Sequence, residues 1–459
     1  MESYEILVTL MMISFIGLLF LGYPVAWTLA GVAMAFAAIG IGLNTLFDID
    51  TFYLNSWIKV AALIDRLGTE GGGLMSNWVL VALPMFVFMG LMLDRSGVAE
   101  LMMNNFVRVF GRLRGGLALT VVLIGILLAA STGIVGASVV LLATLSLPLM
   151  LAQNYDKRLA SGVVAASGTL GILIPPSIML VLMADQLSLA VGDLFMGAFI
   201  PGILLGVCYM VYVILVGIFK PALAPAPPET PPLTAREIWG VIMAVVPTGG
   251  LIVAVLGSIF SGIATPTEAS GVGAFGATLL AAANGRLNLK TLKEVSADTA
   301  LTTAFIFGIF IGATAFALVL RSLGGDEFIG GVLKGLPFGR DGIVIFILLV
   351  AFIAGFFLDW LEITLIILPL VGPVVHDMGV SLVWFTVVFA VCLQTSFLTP
   401  PVGFSLFYLK GVAPKEITTT DIYIGIIPFV ILQLLVVAAT FIWPELVLWL
   451  PQKMYGTTG

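Results

Sequence analysis

Two proline pairs, Pro175-Pro176 and Pro400-Pro401, stand 225 residues apart inside otherwise apolar runs. Each proline takes an N–H donor out of its helix and frees carbonyls about one turn upstream. In hydrocarbon a freed carbonyl must find a partner within the protein, and a cation held by several of them is one of few solutions. Beside each pair lies a second interruption. Ser131, Thr132, Gly133 and Gly136 form the first, and Gly355 to Glu362 the second. One sodium site is therefore expected from the oxygens of Gly171 and Ile174 with the Thr132 hydroxyl. A second is expected from Gly355, Phe357 and Asp359 with Phe397, Thr399 and Pro401. A lone Gly or Pro would more simply kink a helix or let two helices approach; the matched pairing is what points to ions.

Charged residues inside such runs are costly and mark function or a structural pairing. Asp359 and Glu362, three apart, share one helix face and serve either ion coordination or a hydrogen bond to a hairpin tip. Arg95 and Arg321 hold equivalent positions, where an anionic substrate or the membrane interface would meet them. Ser131, Thr169, Arg321 and Thr395 are the expected substrate contacts. Enzyme chemistry has no comparable footing. The lone His376 sits beside Asp377 at the end of an apolar run, no Walker A sequence occurs, and Gly71-Gly72-Gly73 is an isolated glycine run. Energy for transport would have to come from ions or a partner.

These residues are embedded in a chain of 459 residues, 60 % hydrophobic and 10 % charged, with a mean hydropathy of +1.19. Such a composition excludes an ordinary soluble domain and predicts an all-α polytopic membrane protein. A net charge of −6 gives no basic stripe for nucleic acid. Cys208 and Cys392 read as buried thiols without metal-type spacing. Glu2 and Glu5 precede the first apolar run in place of a basic leader, so that run is expected to be a retained helix.

The first half, 1–219, is expected to hold scaffold helices over about 6–42 and an interfacial arm over 44–77. A re-entrant hairpin over about 78–106, turning near Pro84, would follow. After it come a broken helix over 115–151, a Pro-Pro helix over 160–184 and a helix over 194–219. A Pro-rich linker over 220–236 leads to the second half, 237–459. That half is expected to hold a hairpin over about 297–322, turning near Gly308 to Gly312. A broken helix over 342–375, a Pro-Pro helix over 383–409 and a last helix over 422–450 complete it.

Irregularities recur between the halves at a near-fixed offset. Ser131-Thr-Gly falls opposite Gly355-Phe-Phe, offset 224, and Leu91-Met-Leu-Asp-Arg95 opposite Leu318-Val-Leu-Arg321, offset about 226. Five crossings in each half make the two repeats inverted. Sorted by that topology, seven basic residues (Lys59, Arg66, Arg95, Arg108, Arg112, Arg114, Lys453) fall on the N-terminal face and twelve on the other. The positive-inside rule then favours a periplasmic N-terminus, with the three-arginine cluster pulling against it.

The ordered set Ala82-Leu-Pro-Met-Phe-Val-Phe-Met-Gly90, Gly111-Arg-Leu-Arg-Gly-Gly116, Ser131-Thr-Gly133, Leu142-Ala-Thr-Leu-Ser-Leu-Pro148 and Gly171-Ile-Leu-Ile-Pro-Pro-Ser177 opens the pattern. Gly262-Ile-Ala-Thr-Pro-Thr-Glu-Ala269 and Leu398-Thr-Pro-Pro-Val-Gly403 continue it. Over nearly the whole chain this resembles the large membrane subunit, DctM type, of tripartite ATP-independent periplasmic (TRAP) transporters. The resemblance implies a sodium-driven elevator-type carrier, similar to the ion transporter superfamily, in a bacterial cell inner membrane. It implies Na+ ligands at Thr132, Val135, Gly171, Ile174 and Pro176 and at Gly355, Phe357, Phe397 and Thr399. It further implies a small four-helix membrane subunit as a separate chain, and a periplasmic binding protein delivering an organic acid. A stand-alone ion-coupled carboxylate permease or exchanger of related fold is the alternative.

Overall fold

The computed structural model describes residues 3–47, 77–132, 135–226 and 235–456. Most of the expected interfacial arm (48–76) and half of the Pro-rich linker (227–234) lie outside them. Nineteen α-helices occur among the described residues. The first half runs α1 (Ser3–Phe20), α2 (Val25–Phe47), α3 (Ala82–Arg95), α4 (Val98–Phe110), α5 (Gly116–Thr132), α6 (Val135–Ala152), α7 (Lys157–Thr169), α8 (Ile178–Gln186) and α9 (Val191–Phe219). The second runs α10 (Ala235–Phe260), α11 (Pro266–Ala283), α12 (Leu289–Ser322), α13 (Gly325–Lys334), α14 (Arg340–Ala354), α15 (Trp360–Asp377), α16 (Leu382–Phe397), α17 (Phe404–Val412) and α18 (Thr419–Ile442), with α19 (Glu445–Tyr455) appended. Nine helices are followed by nine in the same order, and α5 to α9 precede α14 to α18 by 224 to 228 residues.

Eight helical stretches among the described residues are long and apolar enough to cross a bilayer. On α9 the outward positions Val211, Ile214 and Ile218 are 48 %, 44 % and 62 % exposed, an apolar face suited to lipid and not to water. The chain is a multi-pass membrane protein. Side chains fix the helix starts. Asp156 accepts from the Arg158 and Leu159 N–H groups at the head of α7 (3.0 and 3.1 Å). Thr265 with Glu268, and Thr418 with Asp421, form reciprocal caps on α11 and α18.

The hairpins differ from expectation. Pro84 lies in the first turn of α3, where a missing N–H costs nothing, and no turn occurs there. The chain turns instead at Gly97 (φ +73°), which leads into amphipathic α4 with Val98, Met102 and Phe106 buried and Glu100 and Arg108 exposed. Likewise α12 passes unbroken through Gly308 and Gly312 and turns at Gly324 (φ +85°) into α13. Gly312 allows a close crossing: a Cβ there would lie 2.6 Å from the Ala26 carbonyl oxygen of α2.

The segments expected as broken spans are the hairpins. Leu117 N–H donates to the Tyr155 hydroxyl at 3.2 Å across 38 residues. A single helix of that length would separate them by about 57 Å, so α5 and α6 return to one rim. In the second half Arg340 and Asp341, at the head of α14, share a crevice with Gly379 and Ser381 just beyond α15. That pair also doubles back.

Contacts between loops gather at two rims. At one, Gly115 and Asp156 N–H groups donate to the Ala224 and Leu223 carbonyls (3.1 and 3.0 Å). Arg95 meets Glu294 at 3.0 Å and Arg158 meets Asp421 at 3.6 Å at the same rim. At the other, Asn77 donates to Asp185, Thr267 to the Trp78 carbonyl (3.2 Å) and Tyr455 to the Ile259 carbonyl (2.9 Å), and Lys334 meets Asp377 at 3.6 Å.

Candidate functional site

Each hairpin tip meets the Pro-Pro break of its own half. Beyond α7 a short 3-10 turn, Leu170–Ile172, leads to the Pro175-Pro176 bond, which is cis, and then to α8. Gly171 in that turn faces the end of α5: a Cβ on it would sit 3.5 Å from Ala129 Cα. The Ile174 N–H donates to the Leu170 carbonyl (3.0 Å), and its side chain packs on Gly202 of α9. Val135 opens α6 and is buried, as is Pro176. The backbone of Ser131 and Thr132 closes α5. Their side chains, and Gly133, lie outside the described part.

The second half repeats this with tighter contact. A Cβ on Gly355 would lie 2.1 Å from Ser396 Oγ, so the α14–α15 tip rests directly on α16. Asp359 caps α15, its Oδ1 accepting from the Trp360 N–H at 2.8 Å. The Phe357 ring lies against Phe20 of α1, centroids 5.6 Å apart. The Pro400-Pro401 bond is also cis. Around it Thr399 Oγ1 donates to the Thr395 carbonyl (2.7 Å) and Thr395 Oγ1 to the Val391 carbonyl (2.9 Å). The carbonyls of Phe397 and Pro401 already accept from Ser405 (2.8 Å) and Tyr423 (3.1 Å), which leaves each only a second lone pair for a cation.

Contacts then run between the halves. Tyr408 of α17 closes over Gly136 at the first hairpin tip, where a Cβ would be 2.9 Å from its ring. Thr169 ends α7, and its counterpart 225 residues on, Gln394 of α16, donates to its hydroxyl oxygen at 3.4 Å. Gln433 of α18 donates to the same oxygen, also at 3.4 Å, while the Thr169 hydroxyl donates to the Ala166 carbonyl (2.8 Å). All three side chains are fully buried, so the two broken helices are joined through a polar hub in the core. Thr169 and Thr395 are thus taken up inside the protein, with no side chain facing an opening.

Arg321 is not brought to the tips. Its guanidinium donates to the Pro369 carbonyl (2.8 Å) and pairs with Asp326 (3.5 Å). Pro369 is ten residues along α15 from Asp359, about 15 Å by helix rise. The sequence reading missed Gln394, Gln433 and Tyr408. Gln394 carried a signal, as an amide inside an apolar run at the repeat offset from Thr169.

Sodium takes several neutral or anionic oxygens, and both tip-and-break pairs offer backbone and hydroxyl oxygen beside a helix end. The second adds a carboxylate oxygen, Glu362 Oε2, buried without a partner. The residues fit.

The sequence model for the DctM component of the tripartite ATP-independent periplasmic transporter matches residues 12–446. The C4-dicarboxylate TRAP transporter large permease protein DctM of Pseudomonas aeruginosa is 30 % identical over 353 residues, covering 75 % of this chain and 80 % of its own. The 2,3-diketo-L-gulonate TRAP transporter large permease protein YiaN of Escherichia coli is 28 % identical, covering 95 % and 99 %. The sialic acid protein SiaM of Vibrio cholerae is 26 % identical, covering 96 % and 97 %. Among solved structures, the YdaH transporter of Alcanivorax borkumensis superposes with a TM-score of 0.64 at 15 % identity, over 91 % of this chain and 97 % of its own. At that identity the likeness concerns the fold.

Proposed function

This chain belongs to the DctM component family of TRAP transporters as a large membrane subunit, and from that premise we propose that it imports an organic acid across a bacterial inner membrane, driven by sodium. A small four-helix membrane subunit and a periplasmic binding protein complete the machine in this reading. The observation that carries it is the double meeting of hairpin tip and Pro-Pro break, Gly171 against Ala129 and Gly355 against Ser396, at equivalent places in the two halves. Two sodium ions would sit there, near Thr132, Val135, Gly171, Ile174 and Pro176 and near Gly355, Phe357, Asp359, Phe397, Thr399 and Pro401. When bound, sodium would supply the free energy of its gradient and give the carbonyl lone pairs at the breaks a partner. The chain's own residues hold the tips against the breaks. Transport by an elevator motion follows if hairpins and broken helices move as one body, as the Thr169–Gln394–Gln433 hub favours.

Inversion of the repeats has its own support. The mouth of the α5–α6 hairpin is at the Arg158–Asp421 rim and that of α14–α15 at the Lys334–Asp377 rim. Five crossings, α1, α2, α3, α7 with α8, and α9, then separate equivalent points. On this topology the first rim gathers Arg95, Arg108, Arg112, Arg114, Lys157, Arg158, Lys220, Arg236, Arg286, Lys290, Lys293, Lys410 and Lys415. Of the described basic residues the second rim keeps Arg321, Lys334, Arg340 and Lys453. The arginine cluster that opposed the positive-inside rule now agrees with it, and the N-terminus is periplasmic. Single cysteines at Arg114 and Arg340, both exposed, test this in intact cells. A membrane-impermeant maleimide is expected to label Arg340→Cys and spare Arg114→Cys.

The function is tested in proteoliposomes given a sodium gradient, with and without the small subunit and the binding protein. Saturable uptake that needs all three components and collapses without sodium is the expected result. Uptake undiminished by leaving out both partners would mark a stand-alone permease.

A further inference from the structure

Asp359 and Glu362 have no acidic counterpart in the first half, where Ile134 and Ala137 stand 225 residues earlier. The two carboxylates also differ from each other. Asp359 uses Oδ1 to cap α15, whereas Glu362 is 5 % exposed and its Oε2 has no hydrogen-bond partner. Glu362 lines a cavity of about 650 Å³ that separates the α15 head from Tyr23 and Trp27 at the α1–α2 turn and from Ala304, Gly308 and Gly312 of α12. None of the residues lining that cavity is basic. The basic residue of α12 nearest its C-terminus, Arg321, is tied to Pro369 and Asp326. The N-terminal dipole of α15 stabilises one carboxylate in part, and Asp359 already occupies the cap. An ionised carboxylate buried beside another without a counter-charge is strongly disfavoured. A small cation at the hairpin tip removes that penalty, and no equivalent penalty exists at the first tip.

We propose that Glu362 supplies a charged oxygen to the cation at the α14–α15 tip, so that the two sodium sites are unequal and the second fills first. This rests on the sodium reading above and adds an order of binding and a ligand.

Calorimetric titration of the purified chain with sodium chloride, against choline chloride, reads binding without transport. The wild type is expected to give two components differing at least 10-fold in affinity. Glu362→Gln should weaken the tighter one by 10-fold or more and leave the weaker in place; Glu362→Asp should retain part of it. Thr132→Ala should act on the weaker component alone. Gel filtration and circular dichroism of each variant establish that it is folded. A single affinity in the wild type, or a tight component untouched by Glu362→Gln, overturns the inequality of sites while leaving sodium binding intact. Absence of any sodium heat overturns the sodium reading itself.

Discussion

Gly162→Leu is expected to leave no folded protein. Gly162 of α7 and Gly425 of α18 face each other where those helices cross. A Cβ on Gly162 would lie 2.1 Å from the Gly425 carbonyl oxygen, and one on Gly425 would lie 2.0 Å from that of Arg158. Both obstacles are backbone, so no rotamer change relieves them. Small residues let membrane helices meet at this distance, and the packing so gained replaces the hydrophobic drive that lipid does not provide. Forcing the pair apart also pulls Phe429 from Tyr209 and Tyr212, ring centroids 5.2 and 5.1 Å away, and Gln433 from Thr169. Overpacking by single methylenes costs about 1–3 kcal/mol. Four carbons against backbone therefore exceed about 5 kcal/mol, comparable with the whole stability of many domains. Fluorescence-detected gel filtration should show aggregate only. Gly271→Leu is the control, because nothing lies within 4 Å of a Cβ there. A monodisperse Gly162→Leu peak, melting within a few degrees of wild type, would contradict the crossing.

Why the repeat was legible and its hairpins were not comes down to the same residues. A proline pair is a local chemical event, so Pro175 and Pro400 announced the offset directly, and α16 to α18 follow α7 to α9 in register. A glycine break inside a long apolar run is ambiguous. It reads the same whether the chain continues across the bilayer or turns back, because hydropathy has no sign of direction. Only the meeting of Leu117 with Tyr155 decides it. Pro84 and Gly312 misled for a related reason. Each punctuates a helix in the general case, yet one occupies a first turn and the other opens room for α2. Asp359 was legible as a residue that matters, and its Oδ1 proves to hold a helix start. Thr169 and Gln394, polar residues 225 positions apart, touch in the core, so the offset itself pointed to that contact.

Thr399→Ala carries the largest expected effect on function without loss of fold. The Thr399 hydroxyl donates to the Thr395 carbonyl at 2.7 Å, so its proton points back into α16 and its lone pairs are turned toward the break. That orientation makes it an acceptor for a cation, and the same bond fixes its χ1 rotation. On the sodium reading alanine removes a ligand, and it leaves the Thr395 carbonyl to the Leu398 N–H (3.2 Å) alone. Loss of groups that ligate or orient ligands typically lowers ion affinity by about 10- to 100-fold. The sodium concentration for half-maximal uptake should rise by that factor, with uptake at saturating sodium partly retained. Thr399→Ser keeps the oxygen and the back-donated proton, and is expected to restore near-normal sodium activation. A merely structural role would not produce that rescue together with an unchanged melting temperature in all three proteins. Thr132→Ala is the matching change in the first half, and sodium activation unaltered in both variants would place the ions elsewhere than at the breaks.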